Sequence, residues 1–278
     1  RKTMFEPVLP GFMHVHPPLC YHCPYEKSYP DCDVFCARTI EHLIESEGAE
    51  TIAALILEPI GNTGGVITPP PEYLPKVRDI CSRHNILLIF DEIITGFGRT
   101  GKMFACEHDE VVPDILVLGK ALGGGILPIA AVLAKAELDV GGEFAFGHYT
   151  HEKNPVTAKA ALTTIEIIEQ EGLVENAAVL GKYMLEKLNL LKAEHPSIGD
   201  VRGRGLLIGV DLVLNQEEKT PADDLAEDVL YRCLSKGLSF KITMGNVLTL
   251  TPPLIITKTQ IDLSLSIIEE SLSEAEEA

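Results

Sequence analysis

An acid and a lysine stand where two apolar runs end. Ile86–Phe90 delivers Asp91 and Glu92, and Ile115–Leu118 delivers Gly119 and Lys120. A lysine in a partly dry site has its pKa lowered, and the neutral amine forms a Schiff base with a carbonyl. A buried carboxylate facing a pyridine nitrogen keeps that nitrogen protonated through a charge-assisted hydrogen bond. Both demands are those of pyridoxal phosphate (PLP), with Lys120 as the amine and Asp91 as the carboxylate. Taken as isolated residues, an Asp and a Lys here are more often a turn cap and a solvated loop lysine.

The elements that position the pair read as strand, crossover, strand. Apolar runs of this length bounded by turn signals are buried strands of a parallel sheet, and Phe104–His108 offers a short helical stretch between them. Ligands of open α/β sheets collect outside the carboxyl ends of the strands, which puts Asp91 and Lys120 at the mouth of one crevice. Upstream, Val34–Glu47 carries Phe35, Ile40, Leu43 and Ile44 at helical spacing, Thr51–Ile60 reads as a strand, and Pro71–His84 is an amphipathic helix. Pro128–Lys135 predicts another strand. Downstream come a helical stretch from Pro155 to about Glu194, broken near Glu171-Gly172, and a strand over Val201–Val213. A helix over Pro221–Lys236, further strand over Leu238–Leu250 and a closing helix over Thr259–Leu272 follow, with the acidic end from Glu269 as a frayed tail. The expected fold is α/β: a mostly parallel sheet covered by helices in residues 1–160, a connecting helix over 161–194, and a smaller α+β domain over 195–278.

Composition excludes some partners. Against 41 acidic residues stand 23 basic ones, a net charge of −18, which argues against nucleic acid and anionic membranes. No apolar run approaches the roughly 18 residues of a spanning helix. Cys20, Cys23, Cys32 and Cys36 have spacings a tetrahedral zinc site accepts. The alternative is a set of reduced, partly buried cysteines around the Cys23-Pro24-Tyr25 turn. The expectation is no metal, and the seven cysteines fit a reducing, cytoplasmic compartment.

A longer pattern surrounds the pair. It comprises Glu58-Pro59-Ile60 with Gly64-Gly65-Val66-Ile67, Pro69-Pro70-Pro71-Glu72-Tyr73-Leu74, Asp91-Glu92-Ile93, and Thr95-Gly96-Phe97-Gly98-Arg99-Thr100-Gly101. Pro113-Asp114-Ile115-Leu116, Gly119-Lys120-Ala121-Leu122-Gly123-Gly124-Gly125, Asn154-Pro155, Gly199-Asp200-Val201-Arg202-Gly203-Arg204-Gly205-Leu206 and Pro252-Pro253-Leu254 continue it. In this order the residues resemble the class III aminotransferases, which are fold-type I PLP enzymes, over nearly the whole chain.

The resemblance implies roles. Lys120 would hold PLP, Asp91 would face the ring nitrogen, and Ile93 would pack on one ring face, two residues beyond Asp91 on the same strand face. The next position, often Gln in relatives, is Ile94 here, which removes one hydrogen bond to the ring hydroxyl. Thr150 matches a hydroxyl that reaches the cofactor phosphate of the other subunit, so a homodimer with shared sites is implied. Arg99 reads as structural, and His148 and His151 as interface or surface residues. Relatives carry a stretch before residue 1 with a Gly-Ser-rich phosphate-binding turn and an aromatic residue stacked on the ring; this sequence shows neither. Many relatives also clamp the substrate carboxylate with an Arg where this chain has Thr249, and some switch that Arg with a Glu where it has Thr63. The expectation is a PLP-dependent aminotransferase passing an amino group from an amine or amino acid to a keto acid. The alternatives are an ammonia-lyase or racemase acting on an amino compound without a clamped α-carboxylate, and a non-catalytic dimer partner.

Overall fold

A computed structural model of the chain describes residues 4–144 and 149–278. The first α-helix, α1 (Phe35–Glu47), buries Ala37, Ile40 and Ile44 at helical spacing. The strand β1 (Ala54–Leu57) leads through a looped segment to α2 (Tyr73–Arg83), and α2 leads to β2 (Leu87–Asp91). A 3-10 helix at Ala105–Asp109 forms the short helical stretch expected between β2 and β3 (Ile115–Leu118), and β4 (Ala131–Ala134) closes the sheet. The strand order is β1-β2-β3-β4, parallel from β1 to β3, with β4 antiparallel.

Side-chain alternation divides this sheet into two faces. Leu88 and Phe90 are fully buried and join Leu55, Leu57 and Leu116 against α1 and α2. The intervening residues Leu87, Ile89 and Asp91 are only half-buried, and Ile56 on the same face of β1 is 56% exposed. Asp91 therefore projects from the open face, at its carboxyl edge.

Helices α3 (Pro155–Gln170) and α4 (Leu173–Glu194) flank the break expected at Glu171-Gly172. Asn154 caps α3 by accepting the Val156 N–H at 2.9 Å, with Pro155 in the first turn, where a missing N–H costs nothing. The second sheet is wholly antiparallel, ordered β5-β6-β8-β7: β5 (Ile198–Arg204), β6 (Leu207–Leu212), β7 (Lys241–Thr243) and β8 (Val247–Leu250). Met184, Leu188 and Leu191 of α4 pack on it together with α5 (Asp223–Ser235) and α6 (Lys258–Glu276).

Three expectations change. The run Val201–Val213 is a hairpin, because Gly205 takes φ +56° between Arg204 and its partner Leu207. The run Leu238–Leu250 likewise splits at Met244-Gly245, both at positive φ. Apolar Leu206 and Met244 occupy these turns, so the hydrophobic pattern reads straight through them. Lastly, the acidic end is ordered helix to Glu276, whose carboxylate accepts the Ser197 hydroxyl and meets His195 Nδ1 at 2.8 Å. No helix among the described residues is long and apolar enough to cross a membrane.

Candidate active site

Parallel pairing sets the geometry of the site. Asp91, the last residue of β2, is the register partner of Val117, and the Glu92 N–H continues the ladder to the Val117 carbonyl at 2.9 Å. Three residues after Val117, Lys120 begins a 3-10 turn with φ +44°, a left-handed conformation unusual for a side-chain-bearing residue. Two glycines, Gly124 at φ +66° and Gly125 at +74°, complete the reversal, and a Cβ on Gly124 would fall 2.8 Å from Thr164 Oγ1. Lys120 is exposed and forms no ion pair among the described residues.

Asp91 uses one oxygen for its own turn. Its Oδ1 accepts the Ile93 N–H at 3.0 Å, an Asx-type turn, and Oδ2 takes no hydrogen bond among the described residues. That turn corrects the placement of Ile93. The strand ends at Asp91, so Ile93 owes its position to the folded-back chain and not to strand alternation. Its side chain lies against Gly119, where a Cβ would stand 3.4 Å from Ile93 Cγ2. Ile94 is half-buried in the same turn.

Glu92 is the residue that sequence reasoning left without a role. It is fully buried and accepts the Thr95 hydroxyl at 3.0 Å, the Ala105 N–H at 2.6 Å and the Cys106 N–H at 2.9 Å. Three donors on one buried carboxylate fix the 95–106 loop under the site. The available signal was an acid immediately after a buried strand and just before a glycine-rich loop. Burial, and then Glu92, push the Cys106 thiol up to about 12.

Arg99 joins this loop to the second sheet by donating to the carbonyls of Leu206 and Pro252. Burial lowers its pKa, and the two carbonyls are its hydrogen-bond partners. The loop at 61–67, closed by pairing of Gly61 with Ile67, docks on the same sheet: the Gly65 carbonyl accepts Arg202 Nε at 2.9 Å and Nη2 at 2.6 Å. Thr63 is exposed at the tip of that loop. Thr249 is buried in β8, where its hydroxyl and that of Thr243 lie 2.8 Å apart. Val247, on the same face of β8 as Thr249, lies beside Gly65. No hydrogen bond joins Thr63 to Thr249 among the described residues. Thr150 is exposed in the turn that precedes the Asn154 cap, and His148 lies outside the described residues.

The four clustered cysteines, Cys20, Cys23, Cys32 and Cys36, are free thiols lining one cavity of about 20 Å³. Among the described residues, ligand atoms of Glu41, Glu45 and His84 fall within 4.8 Å of one another, and no three of these sulfurs do. Glu41 is already engaged by Arg83.

The donor set suits PLP at its ring and imine ends. Asp91 offers a carboxylate oxygen free for a ring nitrogen, Ile93 an apolar surface beside Gly119, and Lys120 a primary amine at the same sheet edge.

A family model described as aminotransferase class-III matches residues 1–272. The (R)-1-hydroxy-2-aminoethylphosphonate ammonia-lyase of Vibrio splendidus (strain 12B01) is 46% identical over 242 residues, covering 87% of this chain and 50% of that protein. The leucine/methionine racemase of Thermococcus litoralis is 44% identical over 262 residues, covering 94% of this chain and 59% of that one. The structure of a Bacillus anthracis aminotransferase superposes with a TM-score of 0.90 at 38% identity, over 97% of this chain and 63% of that chain. The chain thus spans between half and two thirds of the length of these proteins. The likeness in fold extends to fold-type I transaminases, and the family is PLP-dependent. This chain belongs to the class-III aminotransferase family.

Proposed function

We propose that the chain forms the greater part of a PLP-dependent aminotransferase that moves an amino group from an amine or amino acid to a keto acid. The observation that carries this reading is the delivery of Asp91 and Lys120 to one edge of a parallel sheet by adjacent strands. PLP, when bound, supplies an electron sink that stabilises negative charge at the amine-bearing carbon. Asp91, through its free oxygen, holds a proton on the ring nitrogen. Lys120 would provide the amine that tethers the cofactor, and that amine would also serve as the general base that takes a proton from the substrate carbon. The Lys120–Gly125 reversal keeps that amine at the sheet edge, and Glu92 anchors the loop beneath it. In a homodimer Thr150 would offer its hydroxyl to the cofactor phosphate held by the second subunit, so that each site would draw on two chains. The division at residues 160 and 194 belongs to the same reading.

A second reading, elimination of ammonia, is favoured by the likeness to the phosphonate ammonia-lyase together with Thr249 at the clamp position. Without an arginine there, the substrate is an amine, amino alcohol, phosphonate-bearing amine or ω-amino acid. Incubation of the PLP-loaded full-length protein with such amines, with and without a keto acid, separates the two. Transamination requires the keto acid for turnover, whereas elimination releases ammonia catalytically without it.

A further inference from the structure

The β1–β2 ladder runs in constant register from Ala54↔Leu87 to Leu57↔Phe90. One step further places Glu58 opposite Asp91. Parallel partners lie about 4.8 Å apart and project from the same face, so the register, continued one residue past the end of β1, directs Glu58 toward the edge that carries Asp91 and Lys120. Asn62 orients the Glu58 carboxyl, donating its N–H to Oε2 at 3.1 Å, as Ile93 does for Asp91.

We propose that Glu58 is a positioning residue whose carboxylate supplies a second negative charge beside Asp91 and thereby stabilises positive charge on the Lys120 nitrogen. The proposal rests on the reading of Lys120 as the cofactor-bearing lysine. The electrostatic surroundings of Glu58 support it. Desolvation holds its carboxyl above the usual range against the Asn62 N–H, with Asp91 raising it further and Lys120 drawing it down. Glu58 thus feels both residues it is proposed to serve. A carboxyl that merely capped the Asn62 turn would have no influence on the lysine.

The test is a spectroscopic pH titration of the full-length protein loaded with PLP, comparing wild type, Glu58→Gln, Glu58→Asp and Lys120→Ala. Removing a nearby negative charge disfavours the protonated form, so the midpoint of the visible cofactor band is expected to fall by about one pH unit in Glu58→Gln. Glu58→Asp, which keeps the charge, is expected to restore most of it. A midpoint unchanged in Glu58→Gln overturns the proposal and leaves the Lys120 reading intact. A wild-type band that survives in Lys120→Ala overturns both.

Discussion

Asp91 and Val117 are register partners across β2 and β3, and that pairing brings Lys120 to the edge Asp91 occupies. The acid is fixed by its own turn before any ligand arrives, since Oδ1 is committed to Ile93. Asp91→Asn retains this turn but loses the charge proposed to hold a ring proton. Turnover is expected to fall roughly 100-fold or more, while the lysine-linked band persists. Steady-state kinetics beside an absorbance spectrum check this; equal loss of band and rate would indicate a folding defect instead.

Helix α4 meets the β5–β6 turn of the second sheet by close backbone approach. A Cβ on Gly181 of α4 would stand 2.2 Å from the carbonyl carbon and oxygen of Gly205, with no flexible side chain to yield. Gly181→Ala is expected to cost about 1–3 kcal/mol or more. The urea midpoint measures it, and Leu190→Ala on the exposed side of the same helix serves as the control.

Asp114 locks the first sheet. Its carboxylate accepts the Leu88 N–H and Arg78 Nη1, each at 2.7 Å, and Lys135 Nζ lies 2.7 Å from its other oxygen. Burial opposes the charge, yet these three donors hold the carboxyl down at about 2. Because the folded value lies below the unfolded one, the stabilisation is complete above roughly pH 4 and is lost as pH falls through about 2. Asp114→Asn is expected to remove on the order of 2 kcal/mol at neutral pH and progressively less below pH 4. Urea denaturation at pH 7 and pH 3 reads the difference, and a constant deficit at both would contradict it.

Thr249 tests the substrate class. It lies beside Thr243, on the sheet face that meets the 61–67 loop, and is the residue proposed to stand in place of a carboxylate-clamping arginine. Thr249→Arg is expected to shift the preference from amines toward α-amino acids by roughly tenfold, one bidentate contact to a carboxylate. An unchanged ratio of kcat/KM values, in a variant with unchanged thermal midpoint, would count against the unclamped substrate.

Much of this was legible in the chain. Ile86–Phe90 and Ile115–Leu118 read as strands because parallel strands covered by helices are continuously apolar, and the residues proposed to hold the cofactor follow directly at their ends. Asn154-Pro155 announced the start of α3 in the same way. The hairpins at Gly205-Leu206 and Met244-Gly245 were hidden because their turns contain apolar residues, so periodicity ran through them. The role of Glu92 was hidden for a different reason. Its three donors come from residues 95, 105 and 106, and only the folded loop brings them to one carboxylate.

The central claim is that Lys120 bears the cofactor, and the absorbance spectrum of the full-length protein with PLP tests it most directly. A visible band is expected in wild type, absent from Lys120→Ala, and converted stoichiometrically to the pyridoxamine form by an amine donor without keto acid. A band that returns while ammonia accumulates would replace transamination with elimination. A band that persists in Lys120→Ala would contradict the assignment of Lys120.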